Sequence, residues 1–291
     1  MKQYILNFMA QYDYPQPAVE TLTDVFNVLK DNLEFNYILE NYYTDETINE
    51  DSEEGRLHRL CKDTGINFFT AKLLLYICLS KSLREKYIKS GYSEDFWREN
   101  IGDLKIKMME CFAIHKIWGL FSIGWFPSIF RMKTFTLGRM CYNVIEYDGD
   151  DFTIGRKQVK KGDRCICIHI PSSGKPFDRA TRLESYKLAH EFFGLSLFRC
   201  ESWLLYPPNR EILGERSNIV SFMNDFEIVK SYEYDDDMWR IFGDKHNLPA
   251  DELPRDSSLR KAYADFLMNG NKLGVGVGYF IFDAENNNTL K

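Results

Sequence analysis

The chain has 291 residues, of which 44% are hydrophobic and 15% aromatic, and its formal net charge is -6. That apolar content excludes global disorder, and the length suits two ordinary domains. The charges are of mixed sign, without the basic face that neutralises a phosphate backbone, so nucleic acid is excluded as a partner.

The first residues, Met1-Lys2-Gln3-Tyr4-Ile5, start an apolar patch that Asn7 and Gln11 interrupt, which does not read as a signal peptide. From Val19 to Leu29 the apolar residues Val19, Leu22, Val25, Phe26 and Leu29 follow helical spacing after Pro15 and Pro17. Asp45 to Glu54 is strongly acidic, lacks a periodic apolar face and reads as a solvated loop ending at Gly55. Ile66 to Leu83 is apolar nearly all round, as a central helix covered by its neighbours would be. Its most apolar part, Leu73 to Leu79, is far shorter than the roughly 20 residues that span a bilayer. No membrane association is expected, and the expected location is cytoplasmic.

Ser93, with Glu94 and Asp95 behind it, fits an N-cap for a helix through Phe96, Trp97, Ile101, Leu104 and Met108. A further stretch, Phe112 to Phe121, ends near Gly119 and Gly124. Residues 1–125 are therefore expected to form an all-α domain.

After Pro127 short runs rich in β-branched and aromatic residues take over: Phe135 to Tyr147, Arg164 to Ile170, Leu197 to Leu205, Phe226 to Tyr232 and Gly274 to Phe282. Helical patterns at Asp178 to Phe193, Ser217 to Asn224 and Ser257 to Met268 alternate with them, which points to an α/β sandwich over residues 126–291. The seven cysteines are an odd count, scattered and without C-x-x-C spacing. They read as reduced, packed thiols, and no metal site is expected.

Arg164 to Ile170 reads as a strand with Ile166, Ile168 and Ile170 on one face and Cys165, Cys167 and His169 on the other. Pro171 ends it, Ser172-Ser173-Gly174-Lys175 forms a short loop, and Asp178 fits the N-cap of the next helix. Such a strand, loop and helix N-terminus can hold a phosphate, with Lys175, Arg179 and Arg182 adding charge, or can be an ordinary connection. Asp178 would compete with an anion at the cap. His169 stands where the strand meets the loop, either as a general base or as a hydrogen-bonded histidine at the core edge. His190 suits the carbonyls at the end of its helix.

Several segments together resemble a known family. Phe96-Trp97, Asp103-Leu104, Gly119 and Gly124-Trp125 resemble the N-terminal helical domain of N-acyltransferase-like proteins. The second half resembles their GNAT-like C-terminal domain. The matching residues there are Arg131, Phe135 to Tyr142, His169-Ile170-Pro171, Ser202 to Pro207, Ser217-Asn218-Ile219 with Phe222, and Phe242-Gly243. The resemblance implies an all-α N-terminal domain followed by a GNAT-like α/β sandwich with a mixed sheet. It implies transfer of an acyl group from acyl-CoA, acetyl or longer, to a small-molecule or peptide amine, without a metal. By the same resemblance Ile170, Ser172, Ser173, Gly174, Lys175 and Arg179 would hold the CoA pyrophosphate, although the loop carries Ser-Ser-Gly-Lys instead of the Q/R-x-x-G-x-G/A signature of standard GNAT enzymes.

A GNAT reaction needs a base for the attacking ammonium and an acid for the departing thiolate. His169 and Glu201 are the candidate bases and Tyr206 the candidate acid. The competing reading is a non-catalytic module that keeps the fold as a binding or sensing surface. Cys200 paired with His169 would make a cysteine hydrolase, but nothing in the sequence supplies Cys200 with the helix N-terminus that commonly activates a thiolate. The sequence leaves the acceptor, the acyl length and the oligomeric state open.

Overall fold

The computed structural model describes residues 1–42, 50–155 and 157–291, except for the side chains of residues 50–53. Contacts divide the chain into two compact units, Met1–Lys133 and Thr134–Lys291.

The first unit is all-helical among the described residues: α1 (Lys2–Gln11), α2 (Gln16–Leu29), α3 (Leu33–Asn41), α4 (Glu50–Thr64), α5 (Phe68–Lys89), α6 (Glu94–Ile101), α7 (Asp103–His115) and α8 (Phe126–Phe130). Its centre is α5, where seven consecutive residues, Leu73 to Leu79, are buried. A helix buried on every side needs no polar face, which is why the sequence there has no clear amphipathic period. Asn67 starts it by accepting from Phe69 N–H and Thr70 N–H. α2 buries Ala18, Leu22, Phe26 and Leu29, as its spacing predicts.

Two expectations need correction in this unit. Glu50 to Glu54, read as part of an acidic loop, opens α4, which further on buries Leu57, Leu60 and Cys61. The remainder of that loop lies outside the described residues. The helix expected from Ser93 through Met108 is two, α6 and α7, divided at Gly102, a residue with poor helix propensity. The Ser93 cap itself is present, accepting from Phe96 N–H at 3.1 Å. No helix among the described residues is long and apolar enough to cross a membrane.

The second unit contains β1 (Thr134–Leu137), β2 (Met140–Glu146), β3 (Phe152–Ile154), β4 (Lys157–Val159), β5 (Arg164–His169), α9 (Arg179–Phe193) and β6 (Leu197–Ser202), then a 3₁₀ turn (Trp203–Leu205). It continues with α10 (Asn209–Leu213), α11 (Asn218–Met223), β7 (Glu227–Glu233), α12 (Met238–Phe242) and a second 3₁₀ turn (Gly243–Lys245). α13 (Ser258–Met268), β8 (Gly274–Asp283) and β9 (Asn288–Leu290) complete it. The main sheet runs β1-β2-β5-β6-β8-β7, with β9 also on β8, while β3 and β4 form a separate hairpin. Among the described residues only β5 and β6 pair in parallel, so the sheet is mixed.

The run from Phe135 to Tyr147 is two strands rather than one. Gly138 and Arg139 form a two-residue turn between β1 and β2, and Gly138 has φ +69°, the positive value a type II′ hairpin turn requires at its first central position. The run from Leu197 to Leu205 likewise ends as a strand at Ser202 and becomes a 3₁₀ turn. In β5 both faces are buried from Cys165 to Ile168, as suits a central strand.

Register sorts the side chains. Asn143, Cys167, Arg199 and Tyr279 form one row across β2, β5, β6 and β8, on the face that also carries His169 and Glu201. Part of this face is covered by Ile154 and Val159 of the β3–β4 hairpin, packed with Cys165, Leu197, Val277 and Tyr279. The other face carries Tyr142, Phe198 and Phe280 against α9, where Tyr186 lies 5.7 Å from the Phe198 ring and 4.7 Å from that of Phe280.

Candidate active site

β5 and β6 pair only at Ile166 with Phe198 and Cys167 with Arg199. Beyond those positions β5 continues to His169 paired with β2 alone, and β6 continues to Ser202 paired with β8 alone. The two parallel strands therefore part at their C-terminal ends, with no pairing between them beyond Cys167 and Arg199. Cys200 Sγ, 3.9 Å from Ile168 O, stands where the strands begin to separate.

His169 is half-buried, and its Nε2 lies 2.7 Å from Asn143 Oδ1 on the neighbouring strand. Glu201 is on the same face. Its two carboxylate oxygens take separate donors, Arg199 Nη2 and the Tyr232 hydroxyl. Partial burial pushes the Glu201 carboxyl up, but these hydrogen bonds outweigh it and hold the group below its ordinary value. Glu201 is thus an ionised carboxylate at neutral pH. Burial beside Glu201 pushes the Tyr232 hydroxyl up to about 12. Arg199 extends the network to Tyr279 OH at 3.2 Å and Cys167 Sγ at 3.9 Å.

Tyr206 is placed differently. A Cβ on Gly274 would come within 2.3 Å of the Tyr206 ring, and one on Gly276 within 2.1 Å of Leu205 O. These glycines point to the face opposite Val277 and Glu201. The 3₁₀ turn and Tyr206 therefore lie flat on the far side of β8, where only glycines leave room. The alternating Gly274-Val275-Gly276-Val277-Gly278 of the sequence was a readable sign of such close approach. The Tyr206 hydroxyl makes no hydrogen bond among the described residues.

The loop between β5 and α9 is fixed from beneath by two buried arginines, neither of which sequence reasoning gave that task. Arg139 donates from Nη1 to Pro171 O at 2.9 Å and from Nε to Lys175 O and Pro176 O at 3.3 and 3.2 Å. Arg182 donates to Phe177 O at 2.9 Å, to Ser221 O at 3.0 Å and to Asp225 Oδ2 at 2.6 Å. The Phe177 ring lies 5.1 Å from the Arg139 guanidinium and 5.5 Å from that of Arg182. Four loop carbonyls are thereby drawn inward, while Ser172, Gly174 and Lys175 are exposed and Ser173 and Ile170 half-buried. Gly174 has φ +68°, a turn any other residue would resist. Arg182 is fully buried and pairs with Asp225, so it supplies no free charge to a ligand. Arg179 is exposed but engages Asn288 Oδ1 at 2.6 Å.

Asp178 caps α9 as expected, accepting from Thr181 N–H at 3.0 Å and Thr181 Oγ1 at 2.9 Å. The first of these bonds holds its carboxyl below the ordinary value. The helix end is already served by an anion of its own, so an anionic ligand would meet the loop N–H groups rather than the helix terminus. His190 turns its Nδ1 to Leu195 O at 2.9 Å, just past the helix end. Burial pushes the Cys200 thiol well above its ordinary value, which leaves it an unreactive core group.

Residues 134–280 match the GNAT-like C-terminal domain and residues 5–132 the N-acyltransferase N-terminal domain. No curated protein matches. Among solved structures the chain is similar to an acyltransferase in complex with decanoyl-CoA, at 20% identity and a TM-score of 0.75 over 94% of this chain and 86% of that one. An acyltransferase in complex with CoA and 10C-teicoplanin has 17% identity and a TM-score of 0.73, over 94% and 86%. A variant acyltransferase with octanoyl-CoA has 17% identity and a TM-score of 0.75, over 95% and 87%. At these identities the likeness establishes the fold. Taken with the two domain matches, it means that the chain belongs to the GNAT-like family in which an N-acyltransferase N-terminal domain precedes a GNAT-like C-terminal domain.

Proposed function

We propose that the protein transfers an acyl group from acyl-CoA to an amine. The observation that carries this reading is the parting of β5 and β6 beyond Cys167 and Arg199, with His169 and Glu201 on one face at its edge. The acyl-CoA complexes of the structural neighbours support a medium-chain acyl donor, and the teicoplanin complexes support a small-molecule amine acceptor.

In this proposal the amine nitrogen attacks the thioester carbonyl carbon, the C–N bond forms, the C–S bond breaks, and CoA leaves as a thiolate. His169 takes the proton of the attacking ammonium. Glu201 stays ionised and draws the ammonium to the strand ends by charge. Tyr206 gives its proton to the thiolate and regains one through solvent from the second proton that the nitrogen loses as the amide forms. Tyr206 stands on the face of the sheet opposite His169, against Gly274 of β8. Ser172, Ser173, Gly174 and Lys175 hold the CoA pyrophosphate through the loop N–H groups and the Lys175 ammonium, Ile170 lines the approach, and Arg179 stands at the loop's far end.

The test is direct. Octanoyl-CoA, decanoyl-CoA and acetyl-CoA are added to the protein in a thermal melt, and thiol release is followed with amine acceptors. Ligand at a hundredfold excess over Kd contributes about 2.7 kcal/mol of apparent stability and must raise Tm. Absence of any shift at saturating acyl-CoA would sink the reading.

A further inference from the structure

Two buried arginines flank Phe177, and they differ in one respect. Arg182 is neutralised by Asp225, whereas Arg139, only 9% exposed, pairs with no carboxylate among the described residues. Its Nε and Nη1 are spent on loop carbonyls, while Nη2 makes no hydrogen bond among the described residues. A guanidinium largely removed from water without a counter-anion is costly, and an anion supplied from outside would offset that cost. Burial lowers the Arg139 pKa from its ordinary value, as expected of a cation lacking a partner.

The position of Arg139 is well fixed. It follows Gly138 in the β1–β2 turn, and that turn is tied to α9 by Ser185, whose Oγ donates to Leu137 O at 2.6 Å and accepts from Met140 N–H at 3.2 Å. A Cβ on Gly138 would already be 3.2 Å from Leu188. The turn thus holds a permanent positive charge beneath a loop whose carbonyls it has drawn inward.

We propose that Arg139 is the missing cation of the diphosphate site: it fixes the Pro171–Phe177 loop by its carbonyls and balances the negative charge of a diphosphate ligand bound there. This rests on the reading of that loop as the seat of CoA, and it names the residue that sets affinity for the diphosphate portion in particular. Lys175, the cation the sequence offers, is exposed and would contribute a screened charge.

Calorimetric titration of wild-type protein and of Arg139→Gln and Arg139→Lys with CoA, dephospho-CoA and pantetheine tests this. Arg139→Gln is expected to weaken CoA and dephospho-CoA at least tenfold and to leave pantetheine, which lacks the diphosphate, unchanged. Arg139→Lys is expected to recover part of the loss. Unaltered CoA affinity in Arg139→Gln overturns the proposal, as does an equal loss of pantetheine, which would mean a collapsed loop. Should the glutamine variant not fold, inorganic pyrophosphate competing against CoA on wild-type protein decides: no competition overturns it. If wild-type protein binds neither CoA nor dephospho-CoA, the acyl-CoA reading itself has failed, a different outcome from CoA binding that ignores Arg139.

Discussion

Arg182 on α9 and Asp225 at the end of α11 form an ion pair at 2.6 Å with 0% and 2% of their side chains exposed, joined by the Tyr186 hydroxyl at 3.1 Å from the same carboxylate oxygen. A pair so placed stabilises little beyond what two apolar groups would, but loss of one member leaves the other buried and unbalanced. Arg182→Met is therefore expected to cost about 3 to 5 kcal/mol in a urea titration. Arg182→Met combined with Asp225→Leu should cost less than either change alone. Additive losses would contradict this account.

Gly276 is the tightest of the glycines under the 3₁₀ turn, since an added methyl would stand 2.1 Å from Leu205 O and 2.6 Å from its carbonyl carbon. Backbone cannot rotate aside as a side chain can. Gly276→Ala is expected to destabilise by about 3 kcal/mol and to displace Tyr206, at the upper end of overpacking costs. At Gly278 the nearest atoms are side-chain carbons at 2.9 and 3.1 Å, so Gly278→Ala should cost less. Matched thermal melts of the two variants give the order.

What the sequence made legible is what local signals encode. The β5 strand, the Asp178 cap, α9, α11 and α13 all lie within a residue or two of expectation because periodicity and capping are read over short spans. His169 and Glu201 could be placed on strands, but their common face depends on the pairing of Cys167 with Arg199, 32 positions apart. The parting of β5 from β6 has no local signal whatever. Arg139 looked like one more polar residue in a long strand run, since only the packing of a turn against α9 sets it beneath the loop. Gly138 inside that run was the overlooked sign of a hairpin.

Asp103, in the first turn of α7, is 4% exposed, and neither of its carboxylate oxygens has a hydrogen-bond partner among the described residues. Burial is the largest cause that raises its pKa from 3.8 to about 6, with Glu110 adding to it and Lys107 opposing. The folded state therefore holds this proton more tightly than the unfolded chain does. The contribution of Asp103 to stability is therefore largest at or below about pH 4, falls as pH rises through the window to about 6, and stays reduced above it. Asp103→Asn removes the ionisation and is expected to stabilise the protein by about 2 kcal/mol at pH 8, shrinking towards zero at pH 4. Chemical denaturation at both pH values measures the difference, and an equal effect at each would refute it.

His169 and Glu201 share a face but not a chemical state, and a pair of substitutions separates their parts. Glu201 is held ionised by Arg199 and Tyr232, so its proton affinity is too low for it to take up an ammonium proton effectively near neutral pH. Its use is charge. Glu201→Gln is therefore expected to raise KM for the amine while leaving the pH profile between 6 and 9 in shape unchanged. In the proposed mechanism His169 is the general base. His169→Ala should lower kcat by about a hundredfold or more, the usual contribution of a general base, with little change in the Kd for acyl-CoA because the loop and its arginines are untouched. The neutral-side limb of the kcat/KM profile should vanish with it. If His169→Ala and Glu201→Gln instead lose kcat equally and both keep that limb, the base lies elsewhere in the site.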